Sequence, residues 1–495
     1  MKTYLPIILL LWGVTNLAAQ TDPVQFTSHH QQAFGNSKRN YTAIAGETYL
    51  KNEKDEPAAA IWSVSYLLDG VARPQERAVM FVFNGGPGSA SVWLHMGLFG
   101  PKLAQVASAA NADDGVAPYP IIDNPYSLLD LVDLVFVDPV GTGYSTVLPA
   151  GKTSNYWGLT EDAQSIADFI REWVRKNQRW NAPKFIAGES FGTTRAAGVA
   201  AALHRDGQDM ALNGLVLISQ ALDYTGSTPE PNNLISFLTY LPTMAATAWY
   251  HGKAGQGQEL APFVEAARQF VYDEYAPALL RGSSLTTEKQ QVIAERLHNF
   301  TGLETDYILR SNLRVTAPRF RKELLRPQGL TLGGLDSRYT LQEYDQTADG
   351  PTHDDAASAA ISSAYTAAMN THFAQNLGVL MERPYLTSNR QIYPAWNWGQ
   401  SQPGTGWEPA YVNVAPQLSA AMRTNQALRV LVANGYYDLV TPFFDAEYTF
   451  QRHGILVDRV KMQYYEGGHM MYTQHQALQQ LTTDIRSFLA ACLSE

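Results

Sequence analysis

The stretch that most constrains this chain runs from Lys184 to Leu203. Lys184-Phe185-Ile186-Ala187 is a short apolar run, Gly188-Glu189-Ser190-Phe191-Gly192 is a glycine-bounded turn, and Thr194 to Leu203 is rich in alanine and carries Gly198. A short apolar run that stops at turn residues suits a strand buried on both faces of a parallel sheet. The alanine-rich stretch predicts a helix whose small side chains let it lie close against that sheet. Glycine is needed where a tight turn brings side chains near the backbone. Strand, Gly-x-Ser-x-Gly and helix in succession form the context of a nucleophile elbow, which lifts a serine to the end of a strand.

The flanking sequence repeats this alternation. Val79 to Phe83 is an apolar run ending at Asn84-Gly85-Gly86-Pro87-Gly88, and Leu134 to Val137 is another, ending at Asp138-Pro139. Thr160 to about Asn177 reads as a helix, with Thr160 as its cap, Glu161 and Asp162 at the positive dipole end, and Ile166, Phe169, Ile170, Trp173 and Val174 as its apolar stripe. Leu215 to Ile218 supplies the next strand. This order argues for an α/β fold: an α/β-hydrolase core with a mostly parallel central sheet flanked by helices. Residues 21–223 form its first part. Residues 224–378 break the pattern with amphipathic, charged segments and read as a largely helical cap insertion. Residues 379–495 return to the core through a polar connector, Gln400 to Gly406, a strand at Leu428 to Val432, and alternating Val460, Met462 and Tyr464. Thr473 and Gln476 predict a capping box for a last helix that points Leu478, Leu481, Ile485, Phe488 and Leu489 inward.

Composition excludes several classes. At 45% hydrophobic and 17% charged, with 10 Trp, 26 Tyr and 19 Phe in 495 residues, the chain has ample material for a large core and a cleft. The net charge is −10 and no run of Lys or Arg is present, so neither nucleic acid nor an anionic membrane surface is an expected partner. Residues 1–20 read as a secretory signal peptide: Lys2, an apolar run from Tyr4 to about Val14, then Ala18 and Ala19. That run is short for a membrane span. The expectation is a soluble product, exported to the periplasm or the medium. Cys492 is the single cysteine, so an intramolecular disulfide is impossible.

A serine is a poor nucleophile at neutral pH and needs a base oriented by an acid. In α/β-hydrolases these follow the serine in the order acid, then histidine. Asp438 stands three residues beyond Asn434-Gly435, off a strand end, and is the candidate acid; Asp445 is its rival, placed in the following helix. Among 11 histidines, His469 in Glu466-Gly467-Gly468-His469-Met470 is the candidate base, its two glycines allowing an unusual backbone. His453 and His475 are expected at the surface. Ser190, Asp438 and His469 thus form the candidate triad. The N–H groups of Gly86 and Phe191 are the candidate oxyanion donors. No His-Glu-x-x-His and no thiolate cluster suggests a metal, and no organic cofactor is called for.

Taken together, these segments resemble the serine carboxypeptidase family. Asn84-Gly85-Gly86-Pro87-Gly88-Ser89 is similar to its oxyanion-hole segment, Asn124-Pro125-Tyr126-Ser127 to its Asn-Pro-Tyr-Ser stretch, and Asp138 to Ser145 to its Gly-Thr-Gly-Tyr-Ser loop. Gly188-Glu189-Ser190 resembles its nucleophile motif and Gly467-Gly468-His469-Met470 its histidine region. The resemblance implies removal of C-terminal residues from peptides, with the substrate carboxylate held by Asn84 and a protonated Glu189. An ionised Glu189 would repel that carboxylate, so peptide cleavage is expected on the acid side of neutrality. The chain departs from the family pattern in its lack of disulfides, in Ser89 where a cysteine is usual, in Phe191 where a tyrosine is usual, and in Leu98 at the place of a second carboxylate-binding glutamate. An esterase or acyltransferase on the same triad, and an inactive binding protein, remain alternatives. Oligomeric state is left open.

Overall fold

The structure is a computed structural model and describes residues 22–399 and 411–494, with 36, 114 and 206 excepted. The signal segment and the 400–406 connector lie outside the described residues. A ten-stranded mixed sheet organises the fold. Strands β1 (Gln25–Phe34), β2 (Ser37–Lys51) and β3 (Pro57–Leu68) form an antiparallel ribbon at one edge. Beyond them come β4 (Val79–Phe83), β5 (Asp133–Val137), β6 (Lys184–Glu189), β7 (Gly214–Ile218), β8 (Arg429–Gly435) and β9 (Val460–Tyr465). Their order across the sheet is β3-β5-β4-β6-β7-β8-β9. Every pair from β5 to β9 is parallel.

The apolar runs read from sequence lie in β4 to β8, which are buried on both faces, while β9 at the sheet edge alternates and is only partly buried. Val79, Phe81 and Phe83 pack into one core with Ile166, Phe169 and Ile170 of α1 (Leu159–Lys176) and the small residues of α2 (Phe191–Ala202). Met80 and Val82 point the other way, into a core shared with the last helix. Successive side chains alternate across a pleated strand, so a continuous apolar run is what two-sided burial demands. Strand β1 leaves no apolar run in the sequence, since it is half in solvent and carries His, Gln and Thr, whereas β3 is buried along nearly its whole length.

Residues between β7 and β8 build a core of their own. Helices α3 (Leu234–Tyr250), α4 (Leu260–Phe270) and α5 (Thr287–Thr301) meet there, and Tyr437, Leu439, Phe443 and Phe444 enter it from just beyond β8. Helix α6 (Ala356–Thr371) packs Ile361, Ala364 and Tyr365 into the sheet's own core instead. The chain then closes with α7 (Ala415–Thr424), α8 (Phe443–Phe450) and α9 (His475–Leu493). The last helix buries Leu478, Leu481, Ile485, Phe488 and Leu489 as its periodicity predicts.

Two helix starts differ from the sequence reading. Helix α1 is capped by Gly158, not Thr160: Glu161 folds back over the helix start, and a Cβ at 158 would lie 2.2 Å from its Oε2. Helix α9 is capped by Gln474, whose side chain accepts from the Ala477 N–H, so Thr473 and Gln476 form no capping box.

Candidate active site

Strand β6 delivers Glu189 to the carboxyl end of the sheet, and the chain turns there into α2 at Ser190. Ser190 has φ 60° and ψ −129°, a conformation that non-glycine residues adopt only when their surroundings enforce it. The glycines make the turn possible. A Cβ at Gly188 would sit 2.3 Å from the Gly192 carbonyl oxygen, and one at Gly192 would sit 2.9 Å from that of Phe83. The Ser190 N–H donates to the Ile218 carbonyl at 3.0 Å, and its own carbonyl accepts from the Thr193 N–H and hydroxyl, which locks the turn. Among the described residues the Ser190 hydroxyl has no hydrogen-bond partner. Catalytic hydrogen bonds are often long before substrate binds.

Asp438 and His469 are brought together. His469 Nδ1 lies 2.7 Å from Asp438 Oδ2, and both residues are buried. Asp438 is fixed in turn: Oδ1 accepts from the Val440 and Thr441 N–H groups at 2.8 and 3.0 Å, and Oδ2 accepts from the Thr441 hydroxyl at 2.7 Å. Burial alone would lower the His469 pKa. The attraction of Asp438 and its hydrogen bond, helped by Glu189 and Asp355, instead holds it above the ordinary imidazole value. The Ser219 hydroxyl donates to the His469 carbonyl at 2.7 Å, and Ser219 follows the Ile218 that receives the Ser190 N–H, so β7 ties the two loops together.

The rivals are placed elsewhere. Asp445 lies in the first turn of α8, buried, and accepts from Gln220 Nε2 at 3.3 Å; burial, reinforced by Asp223, pushes its carboxyl well above the usual range. His475 is exposed as expected. His453 is half-buried and pairs with Asp223 at 2.8 Å, so it is not a free surface residue. The glycines before His469 also need a different account. Neither Gly467 nor Gly468 has a positive φ. They are required by close approach: a Cβ at Gly467 would lie 2.6 Å from Met471 Cα, and one at Gly468 would lie 2.4 Å from Asp336 Cβ.

The loop after β4 lies against the elbow. A Cβ on Gly85 would sit 2.5 Å from the Phe191 nitrogen, and Gly86 adopts φ +108°. The Gly86 and Phe191 N–H groups are therefore neighbours, and Phe191, the first residue of α2, has no intrahelical acceptor. Arg195 braces this junction. Its guanidinium donates to the Asn84 carbonyl, pairs with Asp162 at 2.6 Å, and lies over the rings of Phe83 and Phe191.

Glu189 is 3% exposed. Its Oε1 accepts from Asn84 Nδ2 at 2.9 Å and its Oε2 from the Tyr472 hydroxyl at 2.6 Å. Burial pushes its pKa up to about 7, against the opposing pull of His469, Tyr472 and Asn84. Leu98 is buried and offers only its carbonyl, to Asn124 Nδ2. Sequence reasoning missed Thr441, Tyr472, Arg195 and Asp162. One signal was available, since Arg195 is the only charged residue in the Phe191–Ala202 helix.

The family model described as serine carboxypeptidase matches residues 65–484. The curated protein "Serine carboxypeptidase-like 7" of Arabidopsis thaliana is 26% identical over 128 residues, covering 26% of this chain and 28% of that protein. "Serine-type carboxypeptidase F" of Aspergillus niger is 24% identical over 158 residues, covering 31% of this chain and 27% of its own length. The matched stretch thus spans little more than a quarter of either relative. Among solved structures, the prohormone-processing carboxypeptidase Kex1(delta)p of Saccharomyces cerevisiae superposes with a TM-score of 0.54 at 16% identity, over 90% of this chain and 91% of that one. At that identity the likeness concerns the fold.

Proposed function

Because the chain belongs to the serine carboxypeptidase family, we propose that it removes C-terminal residues from peptides through an acyl-enzyme. Ser190 Oγ attacks the carbonyl carbon of the last peptide bond while His469 takes its proton, and Asp438 holds the imidazole and stabilises its cation. The oxyanion is received by the N–H groups of Gly86 and Phe191. His469 returns the proton to the leaving amine. Water, deprotonated by the same histidine, then releases the shortened peptide and restores Ser190.

The observation that carries the exopeptidase reading is Glu189, a carboxyl buried beside the nucleophile and pushed up to about 7 by that burial. A neutral carboxyl can donate a hydrogen bond to the substrate's terminal carboxylate, with Asn84 as the second donor. The esterase reading draws support from Leu98, whose apolar side chain adds nothing to that grip. The test compares a blocked dipeptide as free acid, amide and ester. Preference for the free acid that collapses in Glu189→Ala supports the peptidase; equal rates on acid and amide favour the esterase.

Export is part of the same proposal and is supported by Lys2, the apolar run after it and Ala18-Ala19. Among the described residues no helix is long and apolar enough to cross a membrane. A released product beginning near Gln20 on N-terminal sequencing would support export, and a product retaining Met1 would count against it.

A further inference from the structure

The loop that carries His469 is held from outside the sheet. The His469 N–H donates to the Leu335 carbonyl, and the Gly468 N–H donates to Asp336 Oδ2 at 3.1 Å. The same short segment of the insertion holds the loop of the acid. The Leu439 N–H donates to the Gly334 carbonyl and the Ser337 N–H to that of Tyr437, each at 2.9 Å. Arg338 grips Asp336 in a buried two-pronged pair, at 2.6 and 2.9 Å, donates to the Glu466 carbonyl at 3.2 Å and lies over the Tyr437 ring. Asp355 anchors the segment: its Oδ2 accepts from the Gly334 and Leu335 N–H groups, while its Oδ1 caps α6 through Ala357 and Ser358.

We infer that Asp355 and Asp336, both on the insertion, are positioning residues for His469: they hold its loop and that of Asp438 in one frame, and Asp355 adds negative charge near the imidazole. The inference rests on the reading of His469 as the base.

Two roles are separable. Asp336 faces Arg338, so the pair carries no net charge, and its contribution is geometric. Asp355 is only partly balanced by Arg321, at 3.4 Å. The charged groups facing His469 are Asp438 from the β8 end, Glu189 from the β6 end, and Asp355 from the insertion, whose influence is the weakest of the three. Removing the Asp355 charge therefore favours the neutral imidazole and lets the base work at lower pH.

The experiment follows inactivation by a small uncharged fluorophosphonate from about pH 5 to about pH 9, where the acid limb reports the base of the free enzyme. Asp355→Asn keeps a good helix cap. It is expected to move the limb down by about half a pH unit and to lower the plateau rate several-fold. Arg338→Gln combined with Asp336→Asn removes equal and opposite charges; it is expected to lower the plateau and leave the limb in place. A purely architectural clamp would lower the unfolding temperature of both variants while the plateau and limb stayed at wild-type values, and that result overturns the inference. Wild-type modification at Ser190 that persists at full rate in His469→Ala overturns the base reading itself, and the inference with it.

Discussion

Tyr472 reaches across the site and donates its hydroxyl to Glu189 Oε2 at 2.6 Å, on the opposite side of the carboxyl from Asn84. A hydrogen bond donated to a carboxylate favours its charged form, whereas burial favours the neutral one. Glu189 is the balance of the two. Tyr472→Phe removes the donor and leaves the burial, so the Glu189 pKa rises. The alkaline limb of kcat/KM for a free-acid peptide is expected to move up by about one pH unit. An unmoved limb would separate Tyr472 from carboxylate recognition.

Glu189→Gln tests the carboxyl directly. Free-acid cleavage needs Glu189 protonated and His469 neutral, and both groups titrate above their ordinary values. The profile is therefore a bell centred near neutrality, higher than the charge argument from sequence alone placed it. Glutamine keeps a donor and does not titrate, so the variant should hold free-acid activity further into alkaline pH. A C-terminal amide should show no such difference between variant and wild type. Superimposable profiles for all four combinations would remove the carboxylate-recognition model.

The same substitution has a stability signature. Glu189 has its ordinary value of 4.5 when unfolded and about 7 when folded. The fold prefers the protonated form, so this contribution is complete below about 4.5 and is lost as pH rises through about 7. Relative to wild type, Glu189→Gln should gain stability across that window, by up to about 3 kcal/mol. Urea unfolding at both ends of the window measures it, and a gain independent of pH would refute it.

Ser190→Ala should lower turnover by roughly six orders of magnitude in a folded protein. Asp438→Asn and His469→Ala should be severely impaired, while Asp445→Asn should retain activity. The buried Asp445 carboxyl titrates well above its ordinary value. Asp445→Asn should therefore be more stable than wild type at alkaline pH, with the advantage lost in acid. Loss of activity in Asp445→Asn with full activity in Asp438→Asn would reverse the acid assignment.

Arg195 and Asp162 are exchanged together, as Arg195→Met with Asp162→Leu, so that neither buried charge is left alone. The Asn84 carbonyl then loses its brace, and the Gly86 N–H is no longer held in register with that of Phe191. The expected result is a loss in kcat of about tenfold to a hundredfold, with KM little changed. A peptide boronic acid, which mimics the tetrahedral state, should lose affinity in parallel. Equal loss in KM and kcat would assign the pair to substrate binding.

The parts of the site legible in the sequence are those in which chemistry and backbone coincide. Ser190 announces itself because the glycines its turn requires are its neighbours, and His469 because close approach of Asp336 and Met471 also demands glycine beside it. The inner parallel strands are legible because burial on both faces leaves a short apolar run in each, as in Val79–Phe83 and Leu134 to Val137. What stays hidden depends on contacts between distant residues. Gly468 and Asp336 are 132 positions apart and Tyr472 and Glu189 are 283 apart, and no local pattern in either segment points to the other. Helix starts fail for a smaller reason: Gly158 begins α1 with no side-chain cap, and Gln474 does for α9 the work that a nearby hydroxyl residue could have done.

The strand order has a bearing on when such a chain becomes dangerous to its surroundings. The nucleophile leaves the sheet at Ser190, but its acid and base come from the ends of β8 and β9, the last two strands to be placed. Chains are made from the N-terminus and fold progressively as they emerge. A nascent chain can therefore carry a finished elbow for more than half of its synthesis with nothing to deprotonate the serine. Reactivity arrives late and all at once, which is a form of timing written into the topology.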